Sequence, residues 1–74
     1  MVFDYSRLRG LVKERNKTQE MVAAATGMAE ATFSQKLNNN SEFKQGEILK
    51  ICDVLRIPHE QIHAYFFTPR VQKN

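Results

Sequence analysis

The sequence holds one cysteine, Cys52, so no disulfide can close within the chain. A reducing, intracellular compartment is the expected setting. No apolar run approaches the roughly 20 residues of a membrane span. The opening stretch MVFDYSRLRG lacks the apolar core of a secretory signal. A cytoplasmic protein with no membrane partner is therefore expected. No Gly-rich phosphate-cradling loop is present, no internal repeat appears, and the triple Asn at 38–40 is the single biased stretch. His59 and His63 stand four apart, a metal-compatible spacing, but no third ligand accompanies them and Glu60 lies off that face. Asp53, Glu60 and Ser41 form no evident triad with these histidines. The expectation is a protein that is not an enzyme and uses no metal and no cofactor.

What is present fits one small folded domain. Seventy-four residues bury only about 60% of their unfolded surface, so the core is modest. Hydrophobic residues make up 42% of the chain, which suits a folded domain rather than a disordered tail. Eleven basic residues against eight acidic ones give a formal charge of +3. That mild excess permits nucleic-acid binding without demonstrating it.

Helical spacing recurs along the chain. Asp4 or Ser6 can open a first helix, with Tyr5, Leu8, Leu11 and Val12 forming an apolar stripe beside a basic flank of Arg7, Arg9, Lys13, Arg15 and Lys17. For most of these cations a solvated helix face is the better reading. The stretch from Thr18 to Leu37, TQEMVAAATGMAEATFSQKL, predicts two short helices. Thr18 can cap the first, Gln19 to Ala25. Gly27 stops it, because a helix end favours the left-handed conformation. The second runs from about Glu30 to Leu37. Asn38 to Ser41 read as a loop, with Phe43 as its anchor. Ile48, Ile51, Cys52 and Leu55 mark a fourth helix from about Gln45 to Leu55, in which Cys52 reads as a small core residue. Pro58 ends that segment and can open a fifth helix from His59 to about Tyr65. Residues 1–67 then form the domain and 68–74 a loose tail. The expected core includes Leu8, Leu11, Val22, Phe33, Leu37, Ile48, Ile51 and Leu55.

The Thr18–Leu37 stretch resembles the helix-turn-helix of the Cro and repressor (XRE-like) family of phage and bacterial regulators. The matching residues are Thr18-Gln19 at the opening, Val22-Ala23 in the first helix, Gly27 at the turn and Phe33 in the second helix. Five helices in this order extend the resemblance over roughly Tyr5 to Phe67. It implies an all-α, compact five-helix, lambda-repressor-like DNA-binding domain, closest to small phage-like members ending in a Tyr-Phe-Phe segment.

If Phe33 and Leu37 face inward, Ala31, Gln35 and Asn38 face outward, flanked by Thr32 and Ser34. Such a face is small, polar and poor in charge, as a major-groove helix requires. The resemblance assigns base readout to Ala29, Glu30, Ala31, Thr32 and Gln35, with Glu30 accepting from cytosine N4. Gln19 would touch phosphate, and Lys36, Asn38, Asn39 and Lys44 would clamp the backbone. The stem of Lys36 would lie along the surface.

The partner implied is double-stranded DNA, bound by a homodimer acting as a sequence-specific transcriptional regulator. Ile57, Ile62, Tyr65, Phe66 and Phe67 are the candidate dimer contact, although the same aromatic cluster can instead close the core. The alternative function is a phage-type modulator that uses this fold to grip another repressor protein. Ala29, Glu30 and the weak net charge favour that alternative, because Glu30 would repel phosphates.

Overall fold

The computed structural model describes residues 2–71. Five α-helices follow in order: α1 (Ser6–Glu14), α2 (Gln19–Ala25), α3 (Glu30–Leu37), α4 (Gln45–Leu55) and α5 (Ile62–Phe66), with a 3-10 turn at His59–Gln61 before α5. No strand occurs among the described residues; the sole extended pairing is an isolated antiparallel bridge between Phe3 and Pro69. None of these helices is long and apolar enough to cross a membrane.

The starts of α1, α2 and α4 each have a local side-chain cause. The Ser6 N–H donates to Asp4 Oδ1 at 2.9 Å ahead of α1. The Met21 N–H donates to Thr18 Oγ1 at 3.1 Å, so one orphan donor at the start of α2 is satisfied. Ala29 has extended backbone and no side-chain cap to offer α3. At the start of α4, the Lys44 N–H donates to Glu47 Oε1 at 2.8 Å. Helix ends depend on left-handed residues: Asn16 after α1, Gly27 after α2 and Arg56 after α4. The fifth helix begins differently from the expectation. Gln61 N–H bonds to Pro58 O, three residues back, so His59–Gln61 wind as a 3-10 turn and the α-helix itself runs from Ile62 to Phe66.

One core joins all five helices. Leu8, Leu11, Val22, Phe33, Leu37, Ile48, Ile51 and Leu55 are all buried, and Tyr5, Val12, Ala23, Cys52, Ile57 and Phe66 join them. Ala23 is fully buried where α2 meets α3, which lets the two helices approach closely. Phe43 anchors the α3–α4 loop: its ring lies edge-on to Tyr5 and Phe66, with centroids 5.4 Å away in both cases, and 6.0 Å from Phe33. Burial pushes the Cys52 thiol pKa up, with the Asp53 charge adding to the effect, so this thiol is an inert core group.

The two ends of the described segment meet. Asp4 N–H donates to Thr68 O at 2.8 Å and Arg70 N–H to Val2 O at 2.9 Å, while Thr68 Oγ1 donates to Ala64 O. The loose tail expected from Thr68 onward therefore does not begin there, because residues 68–70 are hydrogen-bonded to the N-terminal segment and to α5. Residues 72–74 of that expected tail lie outside the described residues.

Candidate recognition surface

Helices α2 and α3 are joined by the turn Thr26–Ala29. Gly27 has φ 78°, and the Met28 N–H closes the turn on Ala23 O at 2.9 Å. Thr26 stands where an apolar side chain would be expected at a helix junction. It is buried, and its hydroxyl is satisfied by donation to Val22 O and Ala23 O at 3.0 Å. Val22 and Phe33 are fully buried between the helices, so α3 is held with a fixed face outward.

That outward face carries Ala29, Glu30, Ala31, Thr32, Gln35 and Asn38, all exposed. Gln19 is half-buried at the first turn of α2, and Lys44 is exposed beside α4. The exposed α3 residues are small or polar, with Glu30 as the one charge that α3 displays there. Two other candidates are placed elsewhere. Lys36 is buried, and its ammonium donates to Glu47 Oε1 at 2.8 Å and to Glu42 O at 3.1 Å. It does not lie along the surface and cannot clamp a phosphate backbone. Lys36 and Leu37, about 100° apart around the helix, are both inside. Asn39 has φ 63°, and its amide makes a two-way bond with Phe3, accepting from Phe3 N and donating to Phe3 O, both at 2.9 Å. It is a strut for the N-terminal segment.

The basic flank of α1 is likewise partly consumed. One Arg9 guanidinium nitrogen donates to Leu37 O at 3.3 Å and to Asn38 Oδ1 at 2.9 Å, tying down the C-terminal end of α3. Arg15 Nε donates to Leu55 O at 2.8 Å and does the same for α4. Carbonyls at helix C-termini lack intrahelical donors and carry the negative end of the macrodipole, so a cation there is favourable. The sequence showed these arginines only as members of a basic run. Their distance from their acceptors, 28 and 40 residues, left no local signal.

Glu47 was not foreseen as a central group. Burial raises its carboxyl pKa, but the bonds from Lys36 and from the Lys44 N–H, together with both lysine charges, outweigh that and hold it below the ordinary 4.5. Lys36–Glu47 is the one ion pair among the described residues.

The candidate dimer patch does not survive as one surface. Ile57 and Phe66 are core residues, 5% and 1% exposed. Ile62 and Tyr65 are half-buried, and Phe67 alone is exposed. Phe66 points inward because its ring completes the aromatic packing around Phe43. Among the described residues no group of three His, Cys, Asp or Glu side chains is placed to hold a metal ion.

The chain is similar over almost its whole length to a solved structure, the modulator of repression (MOR) of the temperate bacteriophage TP901-1 from Lactococcus lactis. The two are 42% identical, the match covers 97% of each chain, and the TM-score is 0.76. No curated protein matches it. Residues 1–69 match the model of a family described as "Protein of unknown function (DUF739)", and the chain belongs to that family.

Proposed function

We propose that this chain is a phage-type modulator of repression: a small cytoplasmic protein that binds another repressor and alters its hold on DNA. The observation that carries the reading is the 42% identity, over 97% of both chains, to a modulator of repression. The surface chemistry supports it. The exposed side of α3 displays Glu30 and no cation, since the Lys36 charge is turned inward to Glu47. A DNA-reading helix needs phosphate-binding neighbours, and here Arg9, Arg15 and Asn39 are engaged within the fold.

Direct DNA recognition is the second reading. It is favoured by the geometry of α2 and α3, read as a helix-turn-helix, and by the exposure of Thr32 and Gln35, which can contact a thymine methyl and an adenine edge. In that case a homodimer with half-sites about 34 Å apart would be required.

Calorimetric titration of the chain against the repressor encoded beside its own gene, with the intergenic DNA as a separate ligand, tests the choice. Saturable binding to the repressor, and no sequence preference on the DNA, is the expected result. Sequence-specific binding to the DNA with none to the repressor would overturn the modulator reading.

A further inference from the structure

A second surface shares no residue with α3. The N-terminal segment, the α3–α4 loop and the end of α5 enclose a cleft of about 390 Å³. Five aromatic side chains line it: Phe3, Tyr5, Phe43, Phe66 and Phe67. Their contacts are edge-on, as in Phe3–Phe67 at 5.7 Å and 87° and Tyr5–Phe43 at 5.4 Å and 80°, or tilted, as in Phe3–Tyr5 at 6.3 Å and 50°. No pair is stacked face to face; Tyr5 and Phe66 are buried, so the rings with surface to offer are the half-buried Phe3 and Phe43 and the exposed Phe67. Phe67 is 42% exposed.

The polar groups at the cleft are all able to accept hydrogen bonds. Asn40, Ser41 and Glu42 are exposed there, and no lysine or arginine lines it. The Glu42 carboxylate takes part in no ion pair among the described residues. Lys36 does reach the Glu42 backbone carbonyl, but its charge is matched by Glu47. Glu42 lines the cleft together with Tyr5, and the Tyr5 phenol pKa is raised by burial and, to a smaller extent, by the Glu42 charge. Aromatic rings with an unpaired carboxylate and acceptors but no cation complement a cationic, donor-only side chain, and a planar one best. A guanidinium is planar, cationic and carries five donors and no acceptor, and it is attracted to ring faces.

We infer that this cleft receives an arginine side chain of the partner repressor, held by the aromatic rings and the Glu42 carboxylate. The inference rests on the modulator reading for its partner: a repressor meets DNA through arginine and lysine, so a protein that covers that surface must accept cations. It rests on the cleft alone for its chemistry.

Two measurements separate these. The first is an NMR titration of the full chain with N-acetyl-arginine amide and with its neutral citrulline counterpart. The Tyr5 and Phe67 ring resonances should shift saturably with the arginine compound and not with citrulline, and Glu42→Lys should abolish the shift. Glu42 is exposed, so this variant keeps the fold, which circular dichroism checks. Absent ring shifts, or equal shifts with both compounds, would overturn the cleft chemistry. The second is repressor affinity, where Glu42→Lys and Phe67→Ala should each weaken binding about tenfold. If wild type binds the repressor and both variants bind equally well, the cleft assignment is overturned and the modulator reading stands. If arginine amide binds but the repressor does not, the modulator reading and the assigned partner fall together. Self-association by sedimentation that Glu42→Lys abolishes would give the cleft to a second copy and overturn the repressor assignment.

Discussion

The Lys36 ammonium lies 2.8 Å from Glu47 Oε1, in a contact that leaves the two side chains 7% and 19% exposed. It joins the last turn of α3 to the first turn of α4, and the same carboxylate oxygen accepts the Lys44 N–H at the start of α4. Removing one partner of a shielded pair leaves the other charge without compensation, whereas replacing both can be nearly neutral. Lys36→Ala should therefore destabilise the domain by about 1–3 kcal/mol. The double variant Lys36→Met, Glu47→Gln should recover most of that loss, since glutamine keeps an acceptor for the Lys44 N–H. Urea unfolding of the wild type, the single variant and the double variant checks both expectations.

The same pair sets an acid limit. The Glu47 carboxyl titrates below its ordinary 4.5 in the folded chain. A depressed folded value means the folded state favours the ionised form, so the stabilisation is fully present above about 4.5 and is lost as pH falls through the lower folded value. The stability difference between wild type and Glu47→Gln should be constant from neutral pH down to that point and shrink below it. Thermal melts of both proteins across the acid range measure the difference, and a gap that stays constant to the lowest pH would contradict the assignment.

Arg56 ends α4 with φ 58° and ψ 50°. This left-handed geometry costs a residue bearing a Cβ roughly 1–2 kcal/mol. Glycine avoids that cost, although its greater freedom in the unfolded chain takes back roughly 0.5–1 kcal/mol. Arg56→Gly should raise stability by about 0.5–1 kcal/mol. Asn39→Gly at φ 63° should instead lower it, because the Asn39 amide holds both backbone groups of Phe3. Chemical denaturation of the two variants distinguishes backbone relief from lost hydrogen bonds.

Much of the fold was legible because its causes are local. Thr18, Gly27 and Pro58 act on their immediate neighbours, and the apolar stripes at 3.6-residue spacing named every one of the eight expected core residues as buried. Of the candidate site, what the sequence made legible was the exposure of the outward face of α3, where periodicity alone decides direction. Lys36 was misplaced because its burial depends on Glu47, eleven residues away, and a charged side chain reads as exposed until its partner is known. Asn39, Arg9 and Arg15 carried no sequence signal of their bonds for the same reason: each is held by a backbone group at least 28 residues distant. Phe66 and Phe67 are adjacent and chemically identical, so composition could not tell the core ring from the exposed one.

That last distinction is testable. Phe66 is 1% exposed and fills the centre of the core, whereas Phe67 is 42% exposed. Phe66→Ala should cost about 3–5 kcal/mol, as large core truncations do, and in a chain this small that removes a large share of total stability. Phe67→Ala should leave a cooperative fold with a much smaller loss. Circular-dichroism melts of the two variants decide, and equal losses would contradict the opposite placements of these rings.

The final prediction concerns what α3 meets. Its exposed face carries Glu30, and the lysine beside it is paired inward. Each phosphate contact contributes about −0.9 to the slope of log affinity against log salt, so a helix with a free carboxylate and no free cation gives little purchase on DNA. Wild type alone should show weak DNA binding without sequence preference. Gln35→Ala should leave that weak binding unchanged, because no base edge is being read. Glu30→Lys should increase binding to every sequence and steepen the salt slope by about one contact's worth. Added to a repressor–operator complex, wild type should release the repressor in proportion to the amount added. Gel-shift assays at two salt concentrations, with and without repressor, measure all four outcomes. If wild type alone retards one operator selectively and Gln35→Ala relaxes that choice, α3 reads DNA and the protein acts as a repressor in its own right.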